Sequence, residues 1–151
     1  MDVIDNLGAV FTDALAEIIA TATGVHIGGV PVETDAGFFE LTGAMSLCSK
    51  KGGILFISAA KPDIRALCSC MIGVPESEVS EADIEDALCE FVNMTAGNAK
   101  LRLSNPDYMF SLSSPFIIKG KNIAIITKNR TRVISRVLGN GDVSVKLTFV
   151  C

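Results

Sequence analysis

A carboxylate and a carboxamide stand about one helical turn apart at Glu90 and Asn93, and Asp86 lies one turn before them. Neither Glu90 nor Asn93 is a strong nucleophile, and an asparagine cannot take a proton. A carboxamide can, however, accept a hydrogen bond from a water molecule and donate one to it, which fixes the direction of the water's lone pair. Phosphoryl transfer depends mostly on positioning and charge stabilisation, so this pair suits a substrate that brings its own metal and reactive bond.

The segment around these residues has the periodicity of an amphipathic helix. Residues three and four apart are neighbours on a helix, so two opposite stripes follow from the spacing. The polar stripe contains Asp86, Glu90, Asn93, Gly97 and Lys100. The apolar stripe contains Ile84, Leu88, Phe91, Val92, Thr95 and Ala99. Ser80 is the predicted N-cap, with Asp83 at the reciprocal position, and the helix is expected to run to about Leu103.

Gly97 is an unfavourable residue for the interior of such a helix, where glycine costs roughly 1 kcal/mol against alanine. A missing side chain is useful where the backbone of another protein must come close. We therefore interpret the polar stripe as a docking face with Glu90 and Asn93 at its centre. The alternative is an ordinary solvated helix face with an incidental glycine.

The first part of the chain contains a similar segment. Residues 13–24 align without gaps on residues 86–97, with five identical positions of twelve. Asp13 aligns with Asp86 and Glu17 with Glu90, but Ala20 stands where Asn93 would be. This pattern predicts a duplicated helix in which only the second copy kept the carboxamide; chance similarity between two amphipathic helices is the alternative.

The spacing Asp86-x-x-x-Glu90-x-x-Asn93, followed by Met94-Thr95-Ala96-Gly97-Asn98, resembles the active-site helix of the chemotaxis phosphatases CheC, CheX and FliY. The single intact copy is most similar to CheX. The resemblance extends over nearly the whole chain, because CheX-like chains also open with a long helix, continue into a hairpin and follow the motif helix with several strands. It implies one CheX-like phosphatase domain over residues 1–151 with a degenerate internal helix repeat.

The resemblance also implies a substrate and a partner, the aspartyl phosphate of a phosphorylated CheY-type response regulator. The regulator would hold the Mg²⁺, so no cofactor or metal is expected on this chain. Asn93 would orient the attacking water, and Glu90 would anchor the regulator through a lysine beside its phosphorylation site. Asp86 would contribute at the edge of the contact, and Gly97 would allow the close approach. CheX-like proteins form homodimers, so we expect a homodimer here.

Two other functions are compatible with parts of the sequence. The same helix face would serve a non-catalytic adaptor that binds a response regulator or flagellar component, although binding alone has no special need for a carboxamide. A metal or thiol enzyme built on Cys68 and Cys70 has little support, because a zinc site needs four ligands and His26 is the chain's one histidine. We expect His26 to be structural and the five cysteines to be reduced thiols, with Cys68 and Cys70 packed as small apolar residues.

Composition limits the class of protein. The 151 residues suit one domain, and the hydrophobic fraction of 49% predicts some apolar surface covered by a partner or a second copy. Residues 1–49 contain seven acidic groups and no Lys or Arg, as do residues 76–90, so nucleic acid is a poor partner. No apolar run is long enough to span a bilayer and no signal peptide is recognisable, so a cytoplasmic protein without a membrane partner is expected.

The remaining elements follow from periodicity and turn residues. A first helix is predicted over residues 3–22, ending near Gly24, and Gly28, Gly29 and Pro31 are predicted to form a loop. Pro62 fits the first turn of a short helix. The predicted strands are Phe38–Cys48, Ile54–Ala59, Met109–Leu112, Phe116–Ile118, Ile123–Thr127, Val133–Leu138 and Val143–Val150, the last of them half-buried. The expected fold is α+β and CheC-like, with two long helices packed on a mostly antiparallel β-sheet.

Overall fold

Three helices lie against one face of an antiparallel sheet in the computed structural model, which describes residues 3–31, 37–103, 106–128 and 131–151. The helices are α1 (Val3–Thr23), α2 (Lys61–Ile72) and α3 (Glu81–Arg102). The strands are β1 (Gly28–Pro31), β2 (Leu41–Cys48), β3 (Gly53–Ala59), β4 (Ser111–Leu112), β5 (Phe116–Lys119), β6 (Val133–Gly139) and β7 (Ser144–Val150). Short 3₁₀ turns occupy Glu76–Glu78 and Pro106–Tyr108. The predicted fold class is confirmed.

The sheet order is β1-β6-β7-β3-β2, and β4 and β5 both pair with the outer edge of β2. All of these pairings are antiparallel. The register of the central strands is fixed by their pairing. Ile57 of β3 lies opposite Gly43 of β2 on one side and Leu147 of β7 on the other. Because directly opposite residues share a face, these three positions belong to the helix-facing side.

The core lies between the helices and this side of the sheet. Phe11 and Leu15 of α1 and Leu88 and Phe91 of α3 are buried there. Phe11 stacks on Phe149 of β7 with ring centroids 4.8 Å apart. Since α1 and α3 lie side by side, each buries one apolar stripe and leaves its polar stripe outside.

Two sequence predictions about strands are wrong. The expected loop at Gly28, Gly29 and Pro31 is strand β1, which pairs with β6 in a register that places Gly28 opposite Gly139. The expected strand over 123–127 is not formed, and this stretch makes only an isolated bridge between Ala124 and Gly37.

The last strand is buried on both faces, so the expectation of a half-buried strand is also wrong. Lys146 is only 5% exposed, and Thr148 is buried too. The segment 37–40 lies over this face: Lys146 Nζ donates to the Gly37 carbonyl at 2.6 Å, and the Phe39 N–H donates to Ser58 Oγ at 2.7 Å. A covering segment therefore replaces solvent on the back of the sheet.

Candidate functional site

The N-terminus of α3 has the predicted capping box. Ser80 Oγ accepts a hydrogen bond from the Asp83 N–H at 3.1 Å, and Asp83 Oδ2 accepts one from the Ser80 N–H at 2.9 Å. These two bonds satisfy backbone donors that the first turn would otherwise leave unpaired. The two bonds thereby define where the helix starts. Helical periodicity from that point determines which later residues share a face.

The packing of α3 on β2 determines which stripe faces solvent. Gly43 of β2 lies directly beneath the helix: a Cβ added there would lie 2.7 Å from Val92 Cγ2 and 3.1 Å from Leu88 Cγ. The absence of a side chain at Gly43 lets α3 approach the sheet closely. The predicted apolar stripe is buried as expected, at Ile84, Leu88, Phe91, Val92, Thr95 and Ala99.

The polar stripe lies on the opposite side of α3. Asp86, Glu90, Asn93 and Lys100 are exposed, and Gly97 is half-buried among them. The structure therefore brings the predicted site residues together on one accessible face. With a rise of about 1.5 Å per residue, Glu90 and Asn93 are about 4.5 Å apart along the helix axis.

The acidic side chains of α3 differ in what they contact. Glu81 pairs with Lys61, and this hydrogen bond lowers the pKa of the Glu81 carboxyl. Glu85 pairs with Lys119 of β5, which raises the pKa of that lysine. Within the described residues, by contrast, no hydrogen bond or ion pair engages the side chains of the three motif residues, Asp86, Glu90 and Asn93. Their polar atoms are therefore available to a partner.

Among the described residues, Gly97 has no neighbour that requires a glycine. A Cβ built at this position meets nothing within 4 Å, and the backbone is not in the left-handed region. Alanine would fit in the folded chain and would favour the helix. The packing of this chain therefore gives no reason for the glycine.

The aligned segment on α1 has a different environment. Glu17, which aligns with Glu90, is engaged by the Arg102 guanidinium from α3, and Arg102 Nε also donates to Asn98 Oδ1 at 2.6 Å. Gly24, which aligns with Gly97, has φ 77° and ends α1, donating its N–H to the Ala20 carbonyl at 2.9 Å. The two aligned glycines thus have different structural roles, and the duplication itself stays a prediction.

One exposed apolar residue on α3 was not among the predicted site residues. Leu101 is 90% exposed although it lies in the last turn of the helix. The sequence contained the signal, because Leu101 follows Gly97 by four residues and therefore continues the same face.

The cysteines are free thiols, and they do not behave alike. Cys68 is buried on α2, and its burial raises the pKa of the thiol, whereas Cys70 is exposed. The expectation that Cys68 and Cys70 pack as small core residues is therefore confirmed for Cys68 and wrong for Cys70. Cys48, at the end of β2, is also exposed. Cys89 and Cys151 are intermediate, and burial raises the pKa of both thiols.

The described residues offer no alternative metal or membrane site. No group of three or more His, Cys, Asp or Glu side chains among them is placed to hold a metal ion. In the same part of the chain, no helix combines the length and apolar character needed to cross a bilayer.

The family model described as "Chemotaxis phosphatase CheX" matches residues 41–137, a range that includes all of α3. The chain belongs to the CheX family. Among curated proteins, no sequence matches this chain. A CheC-like superfamily protein from Shewanella sp. PV-4 has a similar structure, with a TM-score of 0.82, 22% identity, and 99% of this chain and 98% of that chain covered.

Solved structures that carry the CheX name are also similar to this chain. Chemotaxis protein CheX from Vibrio vulnificus has a TM-score of 0.79 at 16% identity, over 95% of this chain and 94% of that chain. CheX in the CheX–CheY–BeF₃–Mg²⁺ complex from Borrelia burgdorferi has a TM-score of 0.71 at 15% identity, over 95% of each chain. At these identities the structural likeness establishes a shared fold.

Proposed function

We propose that this chain is a phosphatase that hydrolyses the aspartyl phosphate of a CheY-type response regulator. The observation that carries the proposal is the pair Glu90 and Asn93, which is exposed on one face of α3 and has no side-chain partner among the described residues, with Gly97 one turn after Asn93. Membership of the CheX family and the fold shared with a CheX that forms a complex with CheY support the choice of substrate.

Asn93 is the proposed catalytic residue. Its Oδ1 accepts a hydrogen bond from a water O–H, so that the water's lone pair points in line at phosphorus. The water oxygen forms a bond to phosphorus while the bond from phosphorus to the regulator's aspartate oxygen breaks. The aspartate leaves as a carboxylate, and the water's protons pass to phosphate oxygens and solvent, giving inorganic phosphate.

The charge of the phosphoryl group is neutralised by Mg²⁺ held in the regulator's own acidic pocket. The chemistry of α3 fits this division, because the stripe offers a water-positioning amide and carboxylates but no convergent set of metal ligands among the described residues. The contribution of this chain is thus orientation of the water and exclusion of bulk solvent from the pocket.

Glu90 is proposed to bind the regulator through a lysine beside the phosphorylation site. Such an ion pair is worth little on an open surface and more when the two proteins exclude water around it. Since Glu90 is one turn from Asn93, the pair would also set the position of Asn93 along the helix axis relative to the phosphoryl group. Asp86 extends the same contact at its edge.

Phosphate release separates this function from an adaptor. In Mg²⁺, a catalytic amount of the chain should release inorganic phosphate from an excess of phosphorylated regulator faster than the spontaneous decay. An adaptor would bind the regulator stoichiometrically and leave the decay unchanged or slower. Binding without acceleration would therefore overturn the phosphatase proposal in favour of the adaptor.

A further inference from the structure

Leu101 is the most exposed of the large apolar side chains in the described part of the protein, at 90%. The other exposed large apolar side chains of this part are all outside α3: Phe39, Ile72, Met109, Leu112, Phe116 and Ile126. Single exposed leucines are ordinary on protein surfaces. The position of this one relative to the proposed site is the informative feature.

Leu101 continues the polar stripe of α3 beyond Gly97. It follows Gly97 by four residues and Glu90 by eleven, spacings that return to the same side of a helix. At about 1.5 Å per residue it lies about 6 Å beyond Gly97 and about 12 Å beyond Asn93 along the axis. The exposed face of α3 therefore runs from carboxylates through a carboxamide and a glycine to an apolar side chain.

The neighbours of Leu101 leave it uncovered. Arg102 points to the α1 side, where it engages Glu17 and donates to Asn98. Lys100 is exposed on the polar stripe, on the side of Leu101 that faces away from Arg102. Leu101 thus presents an uncovered apolar surface at the end of the row, between Lys100 and an arginine whose charge is offset by Glu17.

A partner seated on Glu90, Asn93 and Gly97 would also reach Leu101. A typical protein interface buries about 800 Å² on each partner, which corresponds to a disc of about 16 Å radius. Leu101 falls inside a disc of this size centred on Asn93. An apolar side chain within the footprint is stabilising if the partner offers an apolar surface there, because both surfaces leave water.

We propose that Leu101 is the apolar anchor of this docking face and packs into an apolar depression of the response regulator beside its phosphorylation pocket. The inference rests on the proposed function for the identity of the partner. Leu101 touches no reacting atom, so it contributes to affinity and leaves the rate of the bound complex unchanged. Its contribution to affinity is the free energy gained when an apolar side chain leaves water.

Leu101→Gln is the test variant, because glutamine has a helix propensity close to that of leucine and adds no charge. Ile126→Gln is the matched control: Ile126 is 86% exposed but lies outside α3. Affinity is measured for the regulator carrying beryllofluoride and Mg²⁺, in which beryllofluoride stands for the phosphoryl group. Turnover is measured with the phosphorylated regulator at saturating concentration. Circular dichroism should give the same unfolding temperature for the variant and the wild type.

The expected result is a loss of affinity of about tenfold for Leu101→Gln, the effect of removing one well-buried aliphatic contact. Saturated turnover of Leu101→Gln and the affinity of Ile126→Gln should both match the wild type. Unchanged affinity for Leu101→Gln, or equal losses in both variants, would overturn the inference. So would a change in the oligomeric state of the free Leu101→Gln chain without a change in regulator affinity, which would assign the side chain to a second copy.

The two proposals fail in different ways in this experiment. A wild-type chain that binds the regulator without turnover overturns the phosphatase proposal, while the affinity of Leu101→Gln still decides the role of the leucine. A wild-type chain that does not bind the regulator overturns both proposals. If the wild-type chain turns over the phosphorylated regulator, and wild type and Leu101→Gln bind the regulator with equal affinity, only the proposal for Leu101 is overturned.

Discussion

Four acidic side chains on α3 divide into two groups by their contacts. Glu81 and Glu85 pair with lysines of α2 and β5 and help to hold the helix against its neighbours. Asp86 and Glu90 have no such pair within the described residues, although they lie on the same helix. Because ion pairs on an open surface add little to stability, the distinction concerns availability to a partner more than stability.

Glu90→Ala should weaken regulator binding and slow turnover at subsaturating regulator, while the unfolding temperature stays close to that of the wild type. The physical reason is the loss of an ion pair that forms only in the complex. Titration with the beryllofluoride-loaded regulator measures the affinity. Asp13→Ala removes a carboxylate that is also exposed, on α1, and should have no effect. Equal affinities for wild type and Glu90→Ala would contradict the proposed anchor.

Gly97→Ala should stabilise the folded chain by roughly 0.5–1 kcal/mol, since the new Cβ meets open space and alanine favours the helix. The same Cβ should lower affinity for the regulator, because it occupies the volume into which the partner backbone would come. Urea unfolding and regulator titration measure the two effects. A stabilised variant with unchanged affinity would mean that the glycine is incidental.

The sequence predicted the polar stripe because its signal is local. Helical periodicity alone places Asp86, Glu90 and Asn93 on one side, and the capping pair at Ser80 starts the helix where the pattern requires. The engagement of Glu17 by Arg102 could not be predicted in this way, since it depends on how α1 lies beside α3. The exposure of Cys70 was missed because residue type favours burial while the helix phase turns this thiol outward.

At the scale of elements, strand pairing was harder to predict than helices. Gly28, Gly29 and Pro31 have the composition of a loop, yet β1 forms because β6 offers it an edge. The segment 123–127 has the composition of a strand but makes only one isolated bridge. β7 alternates like a half-buried strand, and only the covering segment 37–40 makes it buried on both faces. Each of these outcomes depends on a partner that is distant in sequence.

The packing of α3 on β2 positions the site, and the variant Gly43→Ala tests this packing. The added Cβ would lie 2.7 Å from Val92 Cγ2, so the helix must shift or the side chain must repack. Overpacking of this kind costs about 1–3 kcal/mol, which urea unfolding would measure. A Gly43→Ala/Val92→Ala double variant should lose less than the sum of the two single losses. Simple additivity would show that the two residues are not in contact.

At the scale of the whole molecule, the expected homodimer stays a prediction. Several large apolar side chains are exposed in the described part of the chain, among them Phe116 at the sheet edge and Met109. These side chains are compatible with an interface between two copies. Light scattering of the wild-type chain should give the mass of a dimer. A monomeric mass over the micromolar range would contradict the prediction, and it would leave the site on α3 unaffected.

The decay of radiolabelled phosphoaspartate on a CheY-type regulator tests the proposed chemistry most directly. With Mg²⁺, Asn93→Ala should lose at least about 10² in rate, because it removes the group that orients the water, while its affinity for the beryllofluoride-loaded regulator is retained. Asn6→Ala is the matched control, because Asn6 is an exposed asparagine on α1. This variant should accelerate the loss of the phosphoryl group as much as the wild type does. Wild-type turnover by Asn93→Ala would contradict the central claim.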